Sequence, residues 1–169
     1  MTMPAWSLRR LPAPDSAQID ELAAVLIDCI EDGAPVSFMH PLTRDRAVVF
    51  WRRVAREVAA GDRALLVVED ARGICGTVRL VLGQPENQPH RADVSKMLVH
   101  RRARRQGMAS ALMRAAETTA REYGKTLLVL DAVTGGDAAR LYERLGWVRV
   151  GEIPGYAFMP RGGLCSTTL

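Results

Sequence analysis

Met97-Leu98-Val99-His100-Arg101-Arg102-Ala103-Arg104-Arg105-Gln106-Gly107-Met108-Ala109 is the stretch on which the reading of this chain turns. An apolar run gives way to a basic turn, the turn ends on a glycine, and helical spacing follows. Ala109, Leu112, Met113, Ala116 and Thr119 form one stripe, which predicts a helix from Gly107 to about Tyr123, stopped by Gly124. A helix that starts there leaves its first N–H groups without intrahelical acceptors, at the positive end of its dipole. Gly107, Ala109 and Ser110 give a bulky anion room to approach, and Arg104 and Arg105 add charge, so the turn reads as a cradle for phosphate or pyrophosphate. A solvated basic turn ahead of a core-packed helix is the other reading of the same residues. A P-loop is excluded because no Gly-Lys-Ser or Gly-Lys-Thr closes the turn, and a dinucleotide fingerprint lacks its other glycines.

Upstream of the turn, Arg91 to Val99 alternates polar and apolar residues and reads as a strand. Ala64 to Glu69 and Ile74 to Leu82 flank Asp70-Ala71-Arg72-Gly73, which has hairpin chemistry, and Gln84 to Pro89 is a polar loop. Earlier come a short strand, Trp6 to Leu11, and two helices. The first is capped by Asp15 or Ser16 and carries Ile19, Leu22, Ala23, Leu26, Ile27 and Ile30 in its stripe; the second runs from Thr43 or Arg44 to about Ala60. Phe38 and Met39 sit in the loop between them. Downstream, Lys125 to Asp131 is expected as a central strand, Asp137 to Leu145 as a short helix and Trp147 to Ile153 as a strand. Leu164 to Leu169 reads as a last strand cut short. The expected fold class is one mixed α/β domain over residues 1–169, its sheet mostly antiparallel and flanked by helices.

With 169 residues, 48% apolar and 25% charged, the chain has the composition of a globular protein and not of a disordered one. Its longest apolar runs, such as Leu127 to Leu130, are far short of the ~20 residues a membrane span needs, and Met1 to Arg10 has no signal-peptide core. A cytoplasmic protein with no membrane partner is expected. Cys29, Cys75 and Cys165 are scattered and read as free thiols, and His40, His90 and His100 share no ligand spacing, so no metal is expected. Arg101 to Arg105 is the densest basic cluster, but with 5% aromatic residues and no stacking motif, nucleic acid is not expected as a partner.

Arg104-Arg105-Gln106-Gly107-Met108-Ala109 resembles the acetyl-CoA signature of the GNAT N-acetyltransferases, and Ala138-Ala139-Arg140-Leu141-Tyr142-Glu143-Arg144-Leu145-Gly146-Trp147 resembles their second motif. The resemblance covers about 64–156 well. Arg91-Ala92-Asp93-Val94, Leu130-Asp131, Gly151-Glu152-Ile153-Pro154-Gly155-Tyr156 and the loop Val36-Ser37-Phe38-Met39 resemble more narrowly the tabtoxin-resistance type, which acetylates a small amine. The resemblance implies acetyl-CoA as donor, parallel middle strands that splay apart to take it, and direct transfer to an amine in a ternary complex. Met97, Leu98, Val99, the turn from Arg104 to Ser110, Asp137 and Tyr142 would then hold the donor. Asp93 and Asp131 would act as bases or bind the substrate ammonium, with Phe38 and Met39 roofing the acceptor. Tyr142 would serve as acid to the departing thiolate; a packed aromatic is the plainer reading. A closed acidic pocket would favour a small-molecule acceptor, and an open groove a peptide. A non-catalytic acyl-CoA sensor is a further alternative. Pairing of the last strands across a homodimer is also implied. Gly135-Gly136-Asp137 departs from the family, which usually carries an asparagine near there.

Overall fold

The computed structural model describes residues 5–169, so the leader expectation at Met1 to Arg10 falls partly outside the described residues. The chain runs β1 (Trp6–Arg10), α1 (Ser16–Glu31), α2 (Arg44–Ala59), β2 (Arg63–Asp70), β3 (Gly73–Val81), β4 (Arg91–Val99), a 3-10 turn (Arg101–Ala103), α3 (Met108–Glu122), β5 (Leu127–Val129), β6 (Ala132–Val133), α4 (Asp137–Arg144), β7 (Glu152–Phe158) and β8 (Leu164–Thr168). Asp15 caps α1 reciprocally: its carboxylate accepts Gln18 N–H at 2.8 Å, and the Gln18 side chain accepts Asp15 N–H at 2.9 Å. Thr43 caps α2 through Arg46 N–H.

Five strands lie in the order β1-β2-β3-β4-β5, antiparallel as far as β4 and parallel from β4 to β5. Alternation along β2 sends Leu65 and Val67 to one face, where Leu22, Leu26 and Ile30 of α1 and Trp51 of α2 cover them. Leu66 and Val68 point to the other face, against Met108, Leu112 and Met113 of α3. Leu22, Leu26, Trp51, Leu112 and Met113 are wholly buried. The helices thus sandwich the sheet.

Two strands differ from the expectation. The parallel ladder holds only Arg91 to Leu127, Ala92 to Leu128 and Asp93 to Val129. The expected strand Lys125 to Asp131 therefore ends at Val129, and the chain swings into a second sheet, β6-β8-β7. There Ala132 and Val133 pair with Thr168 and Thr167. The expected strand Trp147 to Ile153 starts only at Glu152. Gly146 ends α4 with φ 87°, and Trp147 is held back by its N–H to Tyr142 C=O (3.0 Å) and its indole N–H to Glu117 on α3 (3.0 Å). β8 pairs on both sides, with β6 and β7.

One distortion positions the site. The β3–β4 register shifts between Thr77 and Arg79, so Lys96 and Met97 together face Val78. Lys96 takes left-handed backbone there, φ 51°, which is a β-bulge. Gly76, just beyond it, has no room for a side chain: a Cβ would lie 2.7 Å from Val68 Cγ2 and 3.0 Å from Leu98 O.

Candidate functional site

Past Asp93 and Val129 the parallel strands part, leaving one edge of β4 open from Val94 to Val99. His100 N–H donates to Cys75 C=O of β3 at 2.8 Å. By strand alternation Leu98 N–H also faces β3, whereas Met97 and Val99 N–H face the open edge. Of the three β4 residues expected to hold the donor, Met97 and Val99 therefore turn their N–H groups to the wedge and Leu98 does not. The Leu98 side chain goes to the α1–α2 core.

The wedge runs on to the start of α3, where Gly107 occupies the N-cap with φ 79° and no side chain caps the helix. Intrahelical bonding begins with Ala111 N–H to Gly107 C=O (3.0 Å), so Met108, Ala109 and Ser110 present unpaired N–H groups. Nothing lies within 4 Å of where a Gly107 Cβ would be. Met108 contributes backbone only, its side chain being buried with sulfur 3.7 Å from Cys75 Sγ. Arg105 is left-handed as well, φ 63°, and is exposed with Gln106 beside the cradle.

Most of the basic cluster is committed elsewhere. Arg101 binds Asp28 through its backbone N–H and its guanidinium (both 2.8 Å), Arg102 pairs with Asp70, and Arg104 bridges Asp32 and Val99 C=O. Burial alone would raise the Asp28 carboxyl, but the bonds from Arg101 and the charges of His100 and Arg101 hold it below the usual range. Arg104 therefore shapes the turn instead of standing free for a phosphate, and among the described residues Arg105 is the arginine of the cluster with no ion-pair partner.

Around the open end of the wedge the structure joins Tyr142, Asp131 and Lys96. Tyr142 on α4 is buried, and burial, with the Asp131 charge, pushes its phenol up to about 12. No hydrogen-bond partner for its hydroxyl is found among the described residues, and its ring lies 6.1 Å from that of Trp147. Asp131 is exposed just beyond β5 and accepts from Thr167 Oγ1 at 3.0 Å. Asp93 is not brought into this group: within the paired part of β4 it accepts from Gln84 (3.1 Å) and faces Arg91 at 3.5 Å. Asp137, expected against the donor, is exposed at the start of α4 and paired with Arg140. Gly136, not an asparagine, caps that helix, without a side-chain bond.

On the α1–α2 side Phe38 meets Phe50 edge-on at 5.3 Å, while Met39 is exposed. Phe50 in turn is ringed by Arg53, Arg79 and Lys96, with cationic centres 5.5, 5.6 and 5.7 Å from its centroid. These four residues were missed in the sequence. Arg79 is the one charged residue in the strand Gly73–Val81, and that was the available signal. A cavity of about 400 Å³ opens beside them, lined by Phe38, Asp45, Arg46, Val49, Phe50, Arg53 and Arg56. Its lining holds three arginines and one aspartate, so it is not the closed acidic pocket that would favour a small-molecule acceptor. The Cys29 thiol lies with Sγ 3.6 Å from Val99 O, and burial pushes it up to about 11, which disfavours the thiolate. Among the described residues no cluster of potential metal ligands is found, and no helix is long and apolar enough to cross a membrane.

A family model described as an acetyltransferase (GNAT) domain matches residues 61–149, more than half of the chain. A ribosomal-protein-alanine N-acetyltransferase from Brucella melitensis is 18% identical over 96% of both chains, with a TM-score of 0.80. A phosphinothricin acetyltransferase from Sinorhizobium meliloti, solved with acetyl-CoA, is 16% identical over 97% of this chain and 85% of its own, with a TM-score of 0.79. A GNAT-family acetyltransferase from Streptococcus pneumoniae is 22% identical over 96% of both chains, with a TM-score of 0.76. At these identities the likeness is one of fold.

Proposed function

Because this chain belongs to the GNAT acetyltransferases, we propose that it transfers the acetyl group of acetyl-CoA to a primary amine of a small molecule by direct attack in a ternary complex. Acetyl-CoA is the donor, and it supplies the acetyl group as a thioester. The residues present fit it: the uncapped start of α3 with left-handed Gly107 offers N–H groups to a pyrophosphate, and the wedge between β4 and β5 accepts a narrow arm. In this reading Met97 and Val99 N–H hydrogen-bond carbonyl oxygens in the wedge and polarise the one under attack.

The observation that carries the catalytic part is the grouping of Tyr142 and Asp131 at the mouth of the wedge. Asp131, exposed and held by Thr167, receives the substrate ammonium, which gives up one proton to water before attack and a second as the amide forms and the thiolate departs. Tyr142 stays protonated and donates a hydrogen bond to the departing sulfur. A phenol at about 12 facing a thiol near ~8.5 makes full proton transfer uphill by roughly 5 kcal/mol, so hydrogen bonding is its role. Asp93 supports the strand through Arg91 and Gln84.

A small acceptor is favoured over a peptide by the way the acceptor side is bridged. His40 N–H donates to Pro160 C=O at 2.8 Å, and Arg161 reaches His40 and Glu31 C=O. The α1–α2 loop and the β7–β8 turn are thereby tied together, which supports an acceptor side narrowed at that point. A cytoplasmic homodimer belongs to the same reading. Exposed Val148, Val150, Phe158 and Leu164 on and beside β7 and β8 support the dimer, and light scattering tests it.

Thiol release from acetyl-CoA across a panel of small amines and short peptides tests the whole. Turnover on small amines, falling more than tenfold in kcat in Tyr142→Phe with donor affinity kept, is the expected result. Tight acetyl-CoA binding with no turnover on any acceptor would leave a sensor as the better reading.

A further inference from the structure

Among the described residues six cationic side chains are half-buried: Arg63, Arg79, Arg91, Lys96, Arg102 and Lys125. Four have evident partners. Arg63 faces Glu57, Arg91 faces Asp93, Arg102 faces Asp70, and Lys125 donates to the carbonyls of Leu82 and Pro89. Arg79 and Lys96 have none of that kind. Each has a single neutral hydroxyl, Ser95 for Arg79 (3.0 Å) and Ser37 for Lys96 (3.1 Å), and no carboxylate within 4.0 Å among the described residues. They share the Phe50 ring with Arg53, which likewise lacks a carboxylate partner there.

We propose that Arg53, Arg79 and Lys96 form an anion subsite of the acceptor pocket, and that the acceptor is a small zwitterion: a primary amine that also carries a carboxylate or a phosphorus oxyanion. This rests on the acetyl-transfer reading above for the amine and adds the anionic group. Three elements, α2, β3 and β4, converge their charges on one ring, and the Asp131 carboxylate is near enough for its charge to act on Lys96. Neighbouring sites of opposite sign match a small molecule that carries both an ammonium and an oxyanion. Phe50 between the cations supplies a flat apolar floor that tolerates them through its ring face. Burial, with the neighbouring arginines, lowers Lys96 to about 8 and Arg79 to about 10, the cost that an anion would relieve. Of the three cations only Arg53 lines the open hollow of about 400 Å³ at Phe38 and Phe50; Arg79 and Lys96 meet it through the Phe50 ring they share.

The test pairs each acceptor with a matched analogue lacking the anion: amino acids against their amides and decarboxylated amines, and aminoalkylphosphonates against alkylamines. In the wild type kcat/KM is expected to fall at least 100-fold when the anion is removed. In Arg79→Gln, and in Arg53→Gln on the exposed face of α2, that preference should shrink more than tenfold, with the neutral amines little affected. Neutral amines used as well as their zwitterionic counterparts would overturn the subsite. Acidic peptides outperforming every small zwitterion would overturn the small acceptor.

A second readout does not need turnover. Titration calorimetry with N-acetylated amino acids at pH 8.5, in buffers of different ionisation enthalpy, should show proton uptake on binding. Lys96 is faced by Arg79 from β3, Arg53 from α2, Ser37 from the loop and Asp131, and uptake should vanish in Lys96→Met. Anion binding sensitive to Arg53→Gln but without acetylation would sink the transfer reading and keep the subsite. Acetylation of neutral amines alone would do the reverse.

Discussion

Replacing Lys96 by methionine keeps an unbranched apolar stem beside Phe50 and removes the charge. In the folded protein burial, then Arg79 and Arg53, bring this ammonium from 10.5 down to about 8, against a partial offset from Asp131. The unfolded chain keeps the ordinary value. Between about pH 8 and 10.5 the unfolded state therefore binds a proton that the folded state does not, so wild-type stability rises with pH across that window. Below pH 8 both states are protonated and the whole penalty is present, on the order of 3 kcal/mol for a half-buried group. Methionine removes the penalty and forfeits the hydrogen bond to Ser37, worth ~1 kcal/mol.

Lys96→Met should accordingly be more stable than the wild type by about 2 kcal/mol at pH 7, or roughly 4–8 °C in Tm for a chain of this size. The advantage should fade to nothing near about pH 10 and reverse above it, where only the forfeited hydrogen bond to Ser37 remains. Thermal unfolding of both proteins at pH 7, 8, 9 and 10 measures it, and taking the difference cancels other titrations. Tyr142, raised to about 12, destabilises both proteins equally above pH 10 as the unfolded phenol ionises first. Activity on zwitterionic acceptors should fall in the variant. A variant less stable at pH 7, or a gap that does not change with pH, would refute the premise that this charge is held at a cost.

Gly107→Ala should weaken acetyl-CoA binding at least tenfold by calorimetry while lowering stability by only about 1 kcal/mol, because φ 79° disfavours a side chain although the space around it is open. Gly76→Ala should cost more, about 1–3 kcal/mol in urea unfolding, since its Cβ would meet Val68 at 2.7 Å and the Leu98 carbonyl at 3.0 Å. Its backbone, φ negative or extended, is no obstacle, so packing alone sets the loss.

The fold was legible where a local signal had one structural meaning. The Asp15 and Thr43 caps, the bounds of β4 and the glycine before α3 all stand where spacing and capping put them. The wedge was legible only through family resemblance, because the run Lys125 to Asp131 carries no sign of where pairing stops: Leu130 is as apolar as Val129. The strand expected at Trp147 failed for a related reason. Val148 and Val150 have strand propensity, yet the indole bond to Glu117 on α3 and the return bond to Tyr142 hold the start of the segment back, and backbone bonding to the end of the chain begins only with Val150 N–H to Leu169 C=O (2.7 Å). Partners distant in sequence settled both cases.

Charge shows the same limit more sharply. Arg101, Arg102 and Arg104 are conspicuous in the sequence, but acids from α1 and β2 neutralise them. Arg53, Arg79 and Lys96 are inconspicuous because they lie on three different elements. What brings them together is the β-bulge. In a regular strand Ser95 and Lys96 would point to opposite faces. The left-handed Lys96 lets Ser95 hold Arg79 and Lys96 reach Phe50 on the same face, while Met97 and Val99 N–H are turned to the wedge. A single distortion thus builds the edge that serves the donor and the cationic face offered to the acceptor. Straightening it would be expected to damage both sites at once, whereas changing the three charges should touch the acceptor alone.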